Sequence, residues 1–265
     1  MTPADMLTGA TRSDDTLLTT QQLRKSFGET RAVDGVDFRV REGEVLALVG
    51  SNGAGKTSLV NLISGLLRPD AGTITFQGRD ITHLSVYDRI KAGIARSFQL
   101  VNLFDQLTAF ENVRLSILSR EGKIRRLLRL VDRDPGVRRE ALEVLDRFGL
   151  EDKANMLAGG LAQGERKLLD VAVAYALQPK FLLLDEPTSG VSTREKSTIM
   201  DTVAEVVKSG GITAVIIEHD MDVVFTYAAR IVMMHQGRIL ADGTPDAIRR
   251  NEEVANTLLG GSFSA

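Results

Sequence analysis

The run Gly50-Ser51-Asn52-Gly53-Ala54-Gly55-Lys56-Thr57 has the residue types needed to hold a chain of phosphates. Its glycines let the backbone fold into a concave nest whose N–H groups converge on phosphate oxygens. A helix that starts near Lys56 and continues through Ser58 adds the positive end of its dipole. Lys56 brings a cation within reach of β- and γ-phosphates, and the Thr57 hydroxyl is a ligand for Mg²⁺. The eight positions match the P-loop pattern in full. At average composition, a chance match in a chain of this length is on the order of a one percent event.

A second constellation lies in Phe181-Leu182-Leu183-Leu184-Asp185-Glu186, an apolar run that ends in two acids. A strand buried on both faces sets Asp185 at its carboxyl end beside the P-loop, where it holds Mg²⁺ through water. Glu186 then faces the attacking water and polarises it as a general base. Alone, such a run is a core strand with a solvated acidic turn; downstream of a P-loop in a parallel layout, the functional reading prevails. His219 follows the apolar run 213–217 and falls at the same sheet edge as Asp185, which points it at a γ-phosphate. The alternative is a satisfied strand-end histidine. His83 and His235 read as structural.

These residues need a strand–loop–helix frame, and the hydrophobic pattern supplies one. Strands are expected at 33–40, 44–49 and 73–77, with a helix at 58–67 after the glycine loop. The early strands suggest an antiparallel layer, and the strand–loop–helix unit opens a parallel α/β arrangement. From about residue 105 to 178 the chain turns helical, with apolar residues at three- and four-residue steps in 137–148 and 168–177. The alternation then resumes with strands at 181–184 and 213–217 and a helix at 193–208. Strands at 231–234 and 238–241 flank the turn Gln236-Gly237. Thr244 and Pro245 suit the N-cap and first position of a small terminal helix. The expected fold is an α/β P-loop core with a mainly parallel sheet, an antiparallel β layer and an inserted helical subdomain. Residues 1–15 read as a polar tail and 16–265 as one domain. The helical insertion falls at about 100–178 and a short helical tail at about 244–265.

Bulk properties narrow the class. Of 265 residues, 43% are hydrophobic and 26% charged, and the net charge of -2 gives no basic field for nucleic acid. The absence of cysteine excludes disulfides and thiolate metal sites. No apolar run reaches the length of a membrane span. The arginine-rich stretch 122–135 reads as a solvated helix face and loop, not as a contact for anionic lipid.

Five further stretches carry a family resemblance. Leu161-Ala162-Gln163-Gly164-Glu165, just before the acidic strand, resembles the signature motif of ABC ATPases, usually Leu-Ser-Gly-Gly-Gln. Gln99, after the run 94–98, looks like the Q-loop glutamine, a catalytic and Mg²⁺-linked position in that family. His219 in Glu218-His219-Asp220 looks like the switch histidine. Ser189-Gly190-Val191-Ser192 occupies the D-loop position, and Phe27 matches the aromatic on which adenine stacks. The set runs in the family's order over nearly the whole chain outside the tail. What the resemblance implies is an ATPase that uses ATP and Mg²⁺ and works as a dimer. Each signature there closes over the nucleotide of a second subunit, identical or paralogous. Three positions depart from the pattern. Ala162 lacks the usual hydroxyl, Ser192 replaces the common aspartate, and Glu165 puts a negative charge near phosphate unless it turns outward as an early-helix acid.

Within the family, Ala95-Arg96-Ser97-Phe98-Gln99, Asn102-Leu103-Phe104 and Leu107 to Val113 are similar to the branched-chain amino-acid importer ATPases. The signature without serine, Glu218 to Met221 and the segment from Asp242 to Gly260 are similar too. The resemblance implies membrane permease subunits as partners, a solute-binding protein as an indirect one, and a peripheral position on the cytoplasmic membrane face. The surface near Gln99 to Phe110 is where a membrane-subunit helix is expected to dock. Alternatives are ATPases for urea, amide, aromatic-acid or lipid-export transporters, and a non-transport ABC ATPase.

Overall fold

The computed structural model describes residues 15–97, 103–123 and 134–259. The chain enters as a long hairpin, β1 (Thr16–Phe27) and β2 (Thr30–Arg41), and passes through β3 (Val45–Val49) and the glycine loop into α1 (Lys56–Ser64). Next come β4 (Ala71–Phe76), β5 (Arg79–Asp80), α2 (Val86–Ala92) and β6 (Ile94–Arg96). Three helices follow, α3 (Ala109–Arg120), α4 (Pro135–Arg147) and α5 (Gln163–Tyr175). Then come β7 (Phe181–Asp185), α6 (Thr193–Ser209), β8 (Thr213–Ile217), α7 (Met221–Tyr227), β9 (Arg230–His235) and β10 (Arg238–Gly243). Two short helices, α8 (Pro245–Arg249) and α9 (Glu252–Leu259), complete the described chain.

Two sheets divide the strands. One is antiparallel, in the order β2-β1-β4-β5; the other runs β10-β9-β3-β8-β7-β6 and is parallel except for the β9–β10 hairpin. The period of two in the parallel strands explains how one sheet serves several cores. Leu46, Leu48, Phe181 and Leu183 face the antiparallel layer and α1. Leu182 and Leu184 face the helices α3 to α6, while Ala47 and Val49 pack with α7 and α8. Each fully buried leucine or phenylalanine contributes about 1.5–3 kcal/mol relative to exposure, so both faces of β7 anchor it.

Side chains set the helix starts. Thr108 and Glu111 form a reciprocal capping box on α3, and Ser192 with Glu195 does the same on α6. Asp134 caps α4 ahead of Pro135, and Thr244 caps α8 ahead of Pro245. The helix expected at 58–67 in fact spans Lys56–Ser64, because Gly65 at φ 84° ends it in a left-handed C-cap. Arg89 of α2 is buried, and its guanidinium donates to the last carbonyls of α1, Leu62 O at 2.6 Å and Ile63 O at 2.7 Å. Burial pulls its pKa down to about 10.

Strand order fixes where chemistry can occur. β8 lies between β3 and β7, and the register pairs Leu48 with Ile217 and Asp185 with Ile217. The segments that follow these three strands therefore emerge together at one edge of the sheet. Among the described residues, no helix is long and apolar enough to cross a membrane.

Candidate functional site

The glycine loop fills the end of β3 with backbone alone. At Gly50 a Cβ would collide with the carbonyl of Met234, and at Gly55 with that of Ala32; both residues also have positive φ. Only glycine fits there, and that close approach pins the loop between the β9–β10 turn and β2. Gly237 N donates to Ala54 O at 3.0 Å from that turn. α1 begins at Lys56 with no side-chain cap and no acid in its first turn, so its leading N–H groups suit an anion.

Lys56 is buried, and its ammonium donates to Gly50 O at 2.6 Å and Ser51 O at 3.1 Å. Burial pulls its pKa below the ordinary lysine range, while the Glu186 and Asp185 carboxylates pull it back. Thr57 is exposed beside it. A cavity of about 680 Å³ opens over this loop, and its walls include Asn52 to Ser58, Glu186 and His219. Thr30, Arg31, Ala32 and Gln236 close the other side. Phe27 is not one of the walls; it stands 51% exposed at the end of β1, paired across the hairpin with Thr30.

The acids sit where β7 ends. Asp185 is buried and its Oδ2 takes the Arg96 guanidinium at 2.6 Å, while the same guanidinium donates to Asn61 Oδ1 of α1 at 2.5 Å. Arg96 thus ties the acid strand to the P-loop helix. Glu186 has φ 49°, a left-handed backbone unusual for this residue type, and its Oε1 lies 2.9 Å from His219 Nε2. Behind it, Glu218 is buried and accepts from Thr188 N at 3.0 Å and Thr188 Oγ1 at 2.6 Å. Sequence reasoning assigned no role to Arg96, Thr188 or Glu218 in this framework. An arginine two residues into a short strand and an acid next to His219 were the available signals.

The structure therefore brings the loop 50–58, Asp185, Glu186 and His219 to one place. It leaves the signature segment elsewhere, since none of Leu161 to Glu165 lines this cavity. Leu161 and Gly164 are buried, with Gly164 against Glu195 and Ile199 of α6, so Ala162 and Gln163 form the exposed tip of α5. Glu165 does not project toward a phosphate: its Oε2 accepts from Ala162 N at 2.9 Å and caps its own helix. Ser192 likewise caps α6. Gln99 lies outside the described residues, as do Phe98 and most of the arginine-rich stretch.

The residues present fit a magnesium nucleotide. The unfilled glycine cradle and the uncapped start of α1 suit the phosphates, and Thr57 and Asp185 offer hard oxygen ligands of the kind Mg²⁺ takes. Such an ion keeps waters and phosphate oxygens and needs one or two protein ligands, not a cage.

Comparisons with known proteins give the family. The ABC transporter family matches residues 33–189. The chain is 36% identical over 251 residues to the high-affinity branched-chain amino acid transport ATP-binding protein LivG of Salmonella typhimurium, covering 92% of this chain and 98% of that one. It is 35% identical over the same length to BraF of Pseudomonas aeruginosa, which carries the same description. Among solved structures, it resembles the ADP conformation of MJ1267, an ATP-binding cassette of an ABC transporter. That likeness has a TM-score of 0.83 at 30% identity and covers 92% of this chain and 99% of that chain.

Proposed function

The chain belongs to the ABC transporter family of ATP-hydrolysing subunits, and on that premise we propose that it powers an importer of branched-chain or similar amino acids. The observation that carries the reading is the meeting of the cradle residues Asn52 to Ser58, Glu186 and His219 around one cavity. The nest and Lys56 bind and orient the triphosphate. Glu186 accepts a proton from the attacking water, and His219 donates to the γ-phosphate from the neighbouring loop. Thr57 and Asp185, with Gln99 by the family resemblance, would hold magnesium, which when bound supplies charge neutralisation at the phosphates. Phe27, exposed at the end of β1 across the hairpin from the wall residue Thr30, stacks on adenine.

The second half of the site comes from another subunit, identical or paralogous. The exposed tip of α5, whose first helical amides follow Ala162, repeats the anion-binding logic of α1 and closes over the partner's nucleotide. That none of Leu161 to Glu165 lines this chain's own cavity is what supports a shared site. With Ala162 in place of serine, backbone amides carry that contact.

Membrane permease subunits dock at a different groove. A groove of about 660 Å³ separates α2 from the helical layer and is walled by Tyr87, Ile90, Phe104, Leu115 and Val173. Tyr87 and Phe104 are 54% and 62% exposed, large apolar rings that a permease helix covers. The subunit thus sits peripherally on the cytoplasmic membrane face, and a solute-binding protein delivers the substrate to the permease.

The test is uptake in liposomes that hold the permease subunits, both ATPases and the binding protein. Radiolabelled leucine, isoleucine or valine should accumulate with ATP inside, and Lys56→Ala should abolish it. An active complex that moves another solute and none of these three contradicts the substrate assignment.

A further inference from the structure

We infer that Lys167 is a positioning residue through which the signature helix α5 sets the backbone of its own chain's Glu186. The inference rests on the reading of Glu186 as the base. Lys167 lies one helical turn after Gly164, so the two share a face of α5. It is only 5% exposed, an unusual burial for a lysine, and its ammonium leaves the helix to donate to Glu186 O at 3.0 Å and Ser189 Oγ at 2.9 Å.

The carbonyl it holds belongs to a residue in the left-handed backbone region. Glu186 at φ 49° persists only if its surroundings over-determine it. Three bonds do so: Glu186 N to Ile217 O at 2.9 Å, Ser189 N to Glu186 O at 3.1 Å, and the Lys167 ammonium. The first two come from β8 and from the loop itself. The third comes from the helix whose tip meets the second subunit's nucleotide.

Gln163 makes a parallel contact. Its amide lies over Gly190, where a Cβ would collide with it. The signature helix therefore touches the loop 186–192 at two points, one at its tip and one a turn further in. Burial pulls the Lys167 ammonium below the ordinary lysine range, and the Asp170, Glu186, Glu218 and Asp185 carboxylates counter that only in part. When the tip of α5 seats on the nucleotide across the interface, Lys167 carries that displacement to the carbonyl of Glu186. Each base is then set by a motif that reads the opposite site.

The experiment compares phosphate release by the assembled transporter carrying wild type, K167M, E186Q and the double variant, together with nucleotide titrations. K167M should lower kcat by about 10- to 100-fold, the scale of a small misplacement of a catalytic group. Its affinity for Mg-ATP should stay within about twofold, and in single turnovers K167M should change the residual rate of E186Q by no more than about twofold. An unchanged kcat, a matching loss of affinity, or effects that multiply in the double variant would each overturn the inference. If K167M does not fold, S189A removes one acceptor while keeping the ammonium on Glu186 O; it should show a smaller loss of the same kind, and an unchanged rate there also overturns the inference. A wild type that binds no Mg-ATP defeats the ATPase reading itself. An active wild type with an inactive E186Q and an unaffected K167M defeats the role of Lys167 alone.

Discussion

Nε2 of His219 stands 2.9 Å from Oε1 of Glu186, joining the first residue beyond β7 to the second beyond the adjacent parallel strand β8. The contact follows from the register of β7 on β8, which leaves both side chains at one sheet edge. Lys56 shows the same arrangement, with its ammonium on two loop carbonyls that phosphate oxygens can replace in number. In the proposed mechanism His219 moves its donor to the γ-phosphate. His219→Ala should therefore lower phosphate release by about 10²- to 10³-fold, the usual cost of one such donor. Nucleotide titration alongside should show binding within a few-fold of wild type. An unchanged rate would remove His219 from the chemistry.

The two inner glycines of the cradle should respond differently to alanine. At Gly55, φ 102°, a methyl group collides with the Ala32 carbonyl, whereas at Gly53, φ 78°, it meets nothing within 4 Å. Gly53→Ala should cost only the left-handed backbone strain, about 1–2 kcal/mol. Gly55→Ala should displace the loop and lose nucleotide binding. Fluorescence titration with a labelled ATP separates the two, and equal affinities would contradict the packing of the loop on β2.

Much of this was legible in the sequence. The glycine loop, the apolar run before Asp185 and the run before His219 are local patterns, and each falls where strand–loop–helix geometry requires. Three things were less legible. α2 is a seven-residue helix whose one buried side chain is Arg89, so no apolar stripe announces it. The linkage Arg96–Asp185 joins residues 89 apart in sequence, and Thr188–Glu218 joins residues 30 apart. Such pairings depend on which strands become neighbours, which periodicity does not encode. The turn of Glu165 back onto its own helix start was a choice between two orientations that only the local capping geometry decides.

Arg89 should prove a stability residue. Besides Leu62 and Ile63 it donates to Thr82 O at 2.9 Å and Leu84 O at 3.2 Å, holding α1 against the segment before α2. Arg89→Met strands those carbonyls in a buried site and should cost about 3 kcal/mol or more. Urea unfolding followed by circular dichroism reads it directly. A midpoint equal to wild type would show that the carbonyls find other partners.

Acid should weaken the loop after β8. Asp220 Oδ2 takes Lys196 at 2.6 Å and its Oδ1 caps α7, which together hold its carboxyl below the ordinary range, the lysine contact most of all. A lowered pKa in the fold gives stability that is fully present above the unfolded value of about 3.9 and is lost as pH falls through the lowered one. Asp220→Asn keeps a capping oxygen and removes the charge. The Tm gap between wild type and this variant should stay constant from about pH 7 to 5 and narrow as pH falls below about 3.9. A gap independent of pH would assign the effect to the cap instead.

The central claim is that this chain cleaves ATP with Glu186 at a cradle ending in Thr57. Steady-state phosphate release from Mg-ATP by the assembled complex, wild type against Glu186→Gln, tests it most directly. The account predicts a loss of about 10²-fold or more in rate, the scale of a general base, with nucleotide still bound. Equal rates in the two proteins would contradict it.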